Sequence, residues 1–283
     1  MRPICDLHTH SYCSDGTDSP QQLIAAAEEA GLSAVALTDH NCVDGLPEFL
    51  RIGAGSPVEA IPGAEFSVDF DGTELHLLGL FIVSSQFSAV TTRMAEALRA
   101  KESSNIALAE ALNRAGYHLD YDQIKSASPS GKVNRAHFAQ ELTNLGYTQT
   151  VKEAFDTLLR PEIGYYQEPK RLTVWEMISF IRDIGAVPVL AHPFLNLPTE
   201  TLWEFLPRAK AQGLTGMETA YSRYTPEITA LAERMAREIG LLRSGGSDYH
   251  GTRKPDIRLG RGTGPLAVPC EWIEPLRAAA ALL

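Results

Sequence analysis

Cysteine is scarce in this 283-residue chain: Cys5, Cys13, Cys42 and Cys270 make up its four, with no CxxC pair and no regular spacing. That argues against a disulfide-stapled scaffold and a zinc ribbon, and the four read as small buried residues. Long apolar runs are missing too. No stretch reaches the roughly 18 uncharged apolar residues that a membrane span needs, and Met1-Arg2-Pro3-Ile4-Cys5-Asp6 has neither the apolar run nor the cleavage site of a signal peptide. A cytoplasmic location without a membrane partner is the expectation. Positive charge is in deficit, with 25 Lys and Arg against 35 Asp and Glu, a net charge of −10 and a pI near 5.3. Such a balance disfavours holding long nucleic acid on a broad basic face. Internal repeats and low-complexity tracts are absent, and no protein partner is implied.

What the chain does have, in a pattern, is histidine. Six of its eight histidines sit in short clusters with Asp or Glu. In order these are Asp6-Leu7-His8-Thr9-His10 followed by Asp15, Thr38-Asp39-His40, Glu65 with His76, His192-Pro193, and Gly246-Ser247-Asp248-Tyr249-His250. Imidazole and carboxylate are the donors that borderline divalent cations prefer, and nine of them exceed what one tetrahedral ion can use. Two or three ions are implied. Taken singly, His76 or His192 reads as a hydrogen-bonded loop histidine, and Asp15 before Gly16 as a turn residue. Together the coincidences favour a metal site.

The order of elements places these clusters. Ile4–His8, Ala34–Thr38, Val58–Val68, Glu74–Val83, Val187–Ala191, Thr215–Thr219 and Leu241–Ser244 read as strands, and the Asp71-Gly72 pair predicts a tight hairpin. Helical spacing marks Ser19–Ala30, Ser88–Gly116, Val174–Ile184, Thr199–Gln212, Pro226–Ile239 and Trp272–Leu282. Strand and helix in alternation predict the α/β class, a parallel sheet, and a closed or nearly closed barrel formed by residues 1–98 and 168–283. Residues 99–167 interrupt the rhythm as a helical insertion, with helices at Val133–Leu145 and Val151–Leu159. Every histidine cluster is expected at or just after the C-terminal end of a strand, the rim where barrel active sites assemble. His8 and His10 then face the same way, as do Asp248 and His250.

The succession HxH with a downstream Asp, TDH, a Glu and a His, HP and GSDxH resembles the PHP family, the polymerase and histidinol phosphatase phosphoesterases. The resemblance spans nearly the whole chain outside the insertion. It implies a distorted (β/α)₇ TIM-like barrel with a trinuclear centre: His8, His10, Glu65 and Asp248 on one ion, Glu65 bridging to His76 and His192 on a second, and Asp15, His40 and His250 on a third. Mn²⁺ is the expected ion, with Fe²⁺ and Zn²⁺ as alternatives. The activity implied is metal-assisted phosphoester hydrolysis, in which the cations activate water and polarise the phosphoryl oxygens. Asp248 is the candidate to pass a proton toward the leaving oxygen, with His192 as the alternative.

The insertion carries the basic groups. Residues 99–171 hold ten Lys or Arg against nine Asp or Glu, leaving −11 on the remainder. Gly131-Lys132-Val133-Asn134-Arg135-Ala136-His137 opens a helix with cationic groups where an anion is favoured. Arg160 and Lys170-Arg171 bracket Tyr165-Tyr166, an aromatic pair able to stack a base. Lys132, Arg135, His137, Arg160, Tyr166, Lys170 and Arg171, with Asn41 and Ser222 beside the rim motifs, are therefore candidate substrate contacts. The insertion resembles that of a PHP subgroup acting on nucleotides. This implies removal of the 3′-phosphate from a 3′,5′-bisphosphorylated nucleoside, with the insertion as a lid gripping the second phosphate. The alternatives are a 5′ to 3′ exoribonuclease on short oligonucleotides and a histidinol phosphate phosphatase. An inactive metal-binding regulatory module would not need all nine donors, and the terminal DxH weakens an amidohydrolase reading.

Overall fold

The computed structural model describes residues 3–128, 133–169 and 172–282. The chain divides into two compact units, Met1–Thr91 with Leu172–Leu283, and Thr92–Arg171. The first half of the first unit runs β1 (Ile4–Asp6), α1 (Pro20–Glu29), β2 (Ala34–Leu37), α2 (Leu46–Gly53), β3 (Glu59–Phe70) and β4 (Thr73–Leu80). Ser19 caps α1 reciprocally with Gln22, and Pro20 at its start has no N–H to leave unsatisfied. The expected hairpin joins β3 to β4 through Asp71 and Gly72, both at positive φ (49° and 84°), the geometry that matches strand twist in a two-residue turn.

That hairpin corrects the parallel sheet. A two-residue turn reverses the chain, so β4 pairs antiparallel with β3 and, on its other edge, with β5. The sheet order is β7-β6-β5-β4-β3-β2-β1-β8, where β5 is Val187–Leu190, β6 Gly216–Tyr221, β7 Leu242–Gly246 and β8 Val268–Pro269. β8, too short to show a pattern, pairs antiparallel with β1. The remaining strand pairs are parallel.

Closure comes from chain beyond the strand ends. The Leu7 N–H donates to the Gly245 carbonyl (3.1 Å), the Asp248 N–H to that of His8 (2.9 Å) and the His10 N–H to that of Tyr249 (2.9 Å). β7 thereby meets β1, giving a nearly closed, distorted TIM-like barrel. Gly246 is needed there, because a Cβ on it would lie 2.4 Å from the His8 Cβ and 2.5 Å from its nitrogen. Cys5, Leu7, Ala36, Ile61, Leu78, Leu80, Val187 and Val189 form one buried cluster with Trp272, Ile273 and Leu276. Each Leu, Ile or Val among them contributes roughly 1.5–3 kcal/mol through burial.

In the second unit α3 (Phe87–Arg114), which enters it at Thr92, is followed by α4 (Tyr121–Ser126), α5 (Arg135–Asn144) and α6 (Val151–Ala154). The expected helix over 151–159 changes to a π-helical turn at Phe155–Leu159. Leu108, Leu112, Ile124, Phe138, Leu142, Leu158 and Leu159 give this unit its own core. The first unit resumes with α7 (Val174–Asp183), α8 (Pro193–Asn196), α9 (Thr199–Gln212), α10 (Pro226–Ile239) and α11 (Ile273–Ala280). Among the described residues no helix is long and apolar enough to cross a membrane.

Candidate metal centre

Two buried carboxylates outside the expected ligand set, Asp6 and Asp39, fix the backbone of the site. Asp6 accepts the N–H of His8 (3.3 Å), Ser247 (2.8 Å) and Gly260 (2.8 Å), tying the exit of β1 to that of β7. Asp39 accepts from the Ser11 N–H (2.8 Å) and from the hydroxyls of Ser11 and Ser14 (both 2.6 Å), fixing the loop that carries Asp15. His192 and Asp248 stand at positive φ, 29° and 57°. Non-glycine residues there cost about 1–3 kcal/mol each, strain that sites tolerate where it aims a side chain.

The side chains of these motifs lie close together. His8 Nε2 and His10 Nε2 lie 3.1 Å apart, each 3.3 Å from Glu65 Oε2, and 3.7 and 3.3 Å from Asp248 Oδ1. The other Glu65 oxygen, Oε1, faces His76 Nδ1 at 2.8 Å and His192 Nε2 at 3.0 Å. Asp15 Oδ1 meets His250 Nε2 at 3.1 Å and His40 Nε2 at 3.9 Å. One position departs from the rim rule. His76 lies near the start of β4, because β4 runs antiparallel and brings its N-terminal end to the same rim.

The donor set fits divalent cations. His8 Nδ1–H donates to Glu218 Oε1 (3.1 Å), His192 Nδ1–H to Asn196 Oδ1 (3.1 Å) and His250 Nδ1–H to the Asp248 carbonyl (2.8 Å). Those partners only accept, so all three rings turn Nε2 toward the carboxylates, the usual way a ligating imidazole is oriented. His10 Nδ1 is buried with no hydrogen-bond partner. Among the described residues, three groups bring their donor atoms within 4.8 Å of one another: His10, Asp15, His40 and His250; His8, His10 and Glu65; and His40, Glu65 and His76. His10 thus joins the trio expected for a third ion, and His40 reaches Glu65 as well.

Protons do the neutralising in the protein alone. Burial opposes the charged form of Glu65, yet the imidazoles of His40, His8 and His76 hold its pKa well below the usual carboxylate range. Burial likewise opposes charge on His10 and His76, but Asp248 and Glu65 lift His10 to about 9 and Glu65 lifts His76 to about 10. Burial prevails at His40, which falls to about 3. A cation would replace those protons as the partner of the carboxylates.

Besides Asn196, sequence reasoning missed three contributors. Glu218 on β6 is fully buried; besides His8 it accepts the His192 N–H at 2.7 Å. Tyr221 and Lys254 donate to Asp248 Oδ2 at 2.9 and 2.8 Å, leaving Oδ1 to the imidazoles. An acid inside the apolar run Gly216-Met217-Glu218-Thr219-Ala220 was the available signal for Glu218. Lys254 offered none.

The candidate substrate residues divide. Arg135 stacks its guanidinium 4.5 Å over the Tyr166 ring and donates to the Leu159 carbonyl at 3.4 Å. His137 Nδ1 accepts the Asn134 N–H (3.1 Å) in a capping box, and Arg160 pairs with Asp156 at 2.5 Å. Asn41 accepts the Ser67 N–H (3.1 Å), and the Ser222 hydroxyl donates to the Ser247 carbonyl. Lys132, Lys170 and Arg171 lie outside the described residues.

Comparison with known proteins decides the family: the PHP domain model matches residues 6–164, more than half of the chain. The chain belongs to the PHP domain family. A 5′-3′ exoribonuclease of Haemophilus influenzae is 29% identical over 271 residues, 95% of this chain and 92% of the relative. A 3′,5′-nucleoside bisphosphate phosphatase of Chromobacterium violaceum is 27% identical over 251 residues, covering 87% and 86%. A solved structure of an amidohydrolase from Chromobacterium violaceum, with bound sulfate and no metal, matches 98% of this chain and 96% of its own, with TM-score 0.78 and 25% identity. The protein is a PHP-family phosphoesterase whose His and Glu clusters are able to bind metal ions.

Proposed function

We propose that this chain removes the 3′-phosphate of a 3′,5′-bisphosphorylated nucleoside, releasing the 5′-nucleotide and phosphate. Glu65 carries the phosphoesterase part of the reading. It gives Oε2 to His8 and His10 and Oε1 to His76 and His192, and a carboxylate divided between two donor sets suits paired cations. We assign His8, His10, Glu65 and Asp248 to one ion, Glu65, His76 and His192 to a second, and Asp15, His40 and His250 to a third, with Mn²⁺ preferred over Fe²⁺ and Zn²⁺. Bound cations supply Lewis acidity and an activated water. The chain's own residues orient and move protons. Glu218 and Asn196 fix the tautomers of His8 and His192. Burial works against charge on Asp248, but His10 and His8 hold its carboxyl well below the usual range. It accepts from Tyr221 and Lys254, so a proton for the leaving oxygen would pass along these contacts, beside a carboxylate that stays ionised.

Substrate choice rests on the relatives' names and on Arg135. Its guanidinium, stacked on Tyr166, supplies a preorganised fork for a second phosphate. The name of the Haemophilus relative favours a second reading, exoribonuclease action on short 5′-phosphorylated RNA. Both readings share one chemistry if 5′-mononucleotides are released: the P–O3′ bond breaks and the 3′-oxygen of a 5′-nucleotide departs, and only the group that stays on phosphorus differs, the rest of the RNA in one case and none in the other. A hydrolysis panel with Mn²⁺-loaded protein separates them, comparing adenosine 3′,5′-bisphosphate, 5′-AMP, histidinol phosphate and a short 5′-phosphorylated RNA. The bisphosphate should be turned over fastest. Faster hydrolysis of histidinol phosphate, or of 5′-AMP, would overturn the substrate reading, and faster RNA hydrolysis would replace it with the second.

A further inference from the structure

Two of the four cysteines meet far from each other in sequence. β1 and β8 run antiparallel with Cys5 opposite Val268 and Ile4 opposite Pro269, and the Cys270 N–H donates to the Pro3 carbonyl at 3.2 Å. Cys5 and Cys270 are therefore diagonal neighbours on one face of this strand pair, close enough for each thiol to perturb the other. Cys5 is fully buried in the barrel's apolar cluster, and Cys270 packs at its edge, half-buried.

We propose that Cys5 and Cys270 are a peroxide-sensitive thiol pair that closes to a disulfide, stapling β1 to β8. The roles follow from exposure: Cys270 is the sulfur a small oxidant can reach, and Cys5 is the one held beside it. The neighbouring Cys5 and Ser33 bring the Cys270 thiol down to about 7, against the opposing effects of its burial and of Glu59. A large thiolate fraction at neutral pH is what peroxide attack requires. Cys5 is pushed the opposite way by the neighbouring Cys270 and by burial, and keeps its proton. In the first step the Cys270 sulfur attacks the O–O bond of a peroxide ROOH, giving the sulfenic acid and releasing ROH. In the second the Cys5 sulfur attacks that sulfur, the S–O bond breaks, and the Cys5 proton leaves with the hydroxyl as water. Two thiols are oxidised and one peroxide is reduced. β1 leads within three residues to His8, so the staple would fall on the strand that delivers the first two imidazoles.

The test treats the metal-loaded full chain with hydrogen peroxide, alkylates the remaining thiols, and maps the peptides by mass spectrometry. The expected product is a Cys5–Cys270 cross-linked peptide that reductant reverses, with two of the four thiols lost and Cys13 and Cys42 still alkylated. Cys270→Ser should abolish the cross-link. Cys5→Ala should leave Cys270 to run on to the sulfinic acid; should that variant fail to fold, the wild-type and Cys270→Ser maps decide alone. Four alkylated thiols after treatment, oxidation reaching Cys13 or Cys42 first, or sulfinic acid at Cys270 in the wild type would each overturn the proposal.

Discussion

Glu218→Gln is the most telling perturbation of the centre, because Glu218 is fully buried and touches two candidate ligands. Its Oε1 accepts the His8 Nδ1–H at 3.1 Å and its Oε2 accepts the His192 N–H at 2.7 Å. A glutamine has one accepting oxygen, so its NH₂ must face one of those two donors. One charge-assisted hydrogen bond, about 1.5–3 kcal/mol, is lost, and a donor is left unsatisfied. His8 then loses its fixed tautomer or His192 its backbone anchor. Loss of such outer contacts typically costs roughly 10–100-fold in metal affinity, equivalent to about 1.4–2.7 kcal/mol. Competition for Mn²⁺ against a chelator of known affinity reads this directly, with thermal unfolding as the check on folding. Wild-type affinity in a folded Glu218→Gln protein would refute the reasoning.

Metal uptake should strengthen as pH rises from about 7 to 10, since His10 and His76, lifted to about 9 and 10, must give up protons to bind; calorimetry in buffers of different ionisation heat measures the protons released. In the metal-free protein those two histidines add stability that is full below 6.5 and fades as pH climbs through about 9 and 10. His40, lowered to about 3, acts in the opposite sense and costs stability as pH falls below 6.5; urea midpoints against pH should show both arms. Gly246→Ala forces a Cβ to 2.4 Å from the His8 Cβ and should destabilise by at least about 1–3 kcal/mol, read as a lower unfolding midpoint. Arg135→Ala should raise KM for adenosine 3′,5′-bisphosphate more than for a monophosphate ester, and an equal change for both would remove Arg135 from substrate recognition.

The candidate metal centre is legible in so far as its donors lie in local motifs. HxH suggests two side chains on one face by strand alternation, and the strand ends follow from apolar rhythm, whereas Asp248 and His250 lie past the end of β7 with Asp248 at positive φ, so the loop and not alternation places that pair. The hairpin was legible for the same reason, since Asp71-Gly72 encodes its own backbone geometry. Its consequence for the sheet was not drawn, because strand direction depends on the connection and not on the strand. Glu218, Tyr221 and Lys254 were hidden because each matters through a partner more than five positions away in sequence: His8, Asp248 and Asp248. The partners of His137 and Arg160 show the opposite limit. A basic residue at a helix start reads as an anion contact, yet here His137 completes a cap and Arg160 pairs with Asp156.

Anomalous scattering from crystals of the Mn²⁺-loaded protein tests the central claim most directly. The account predicts peaks on both sides of the Glu65 carboxylate, one among His8, His10 and Asp248 and one between His76 and His192. No peak bonded to Glu65, in protein that hydrolyses phosphate esters under the same conditions, would contradict it.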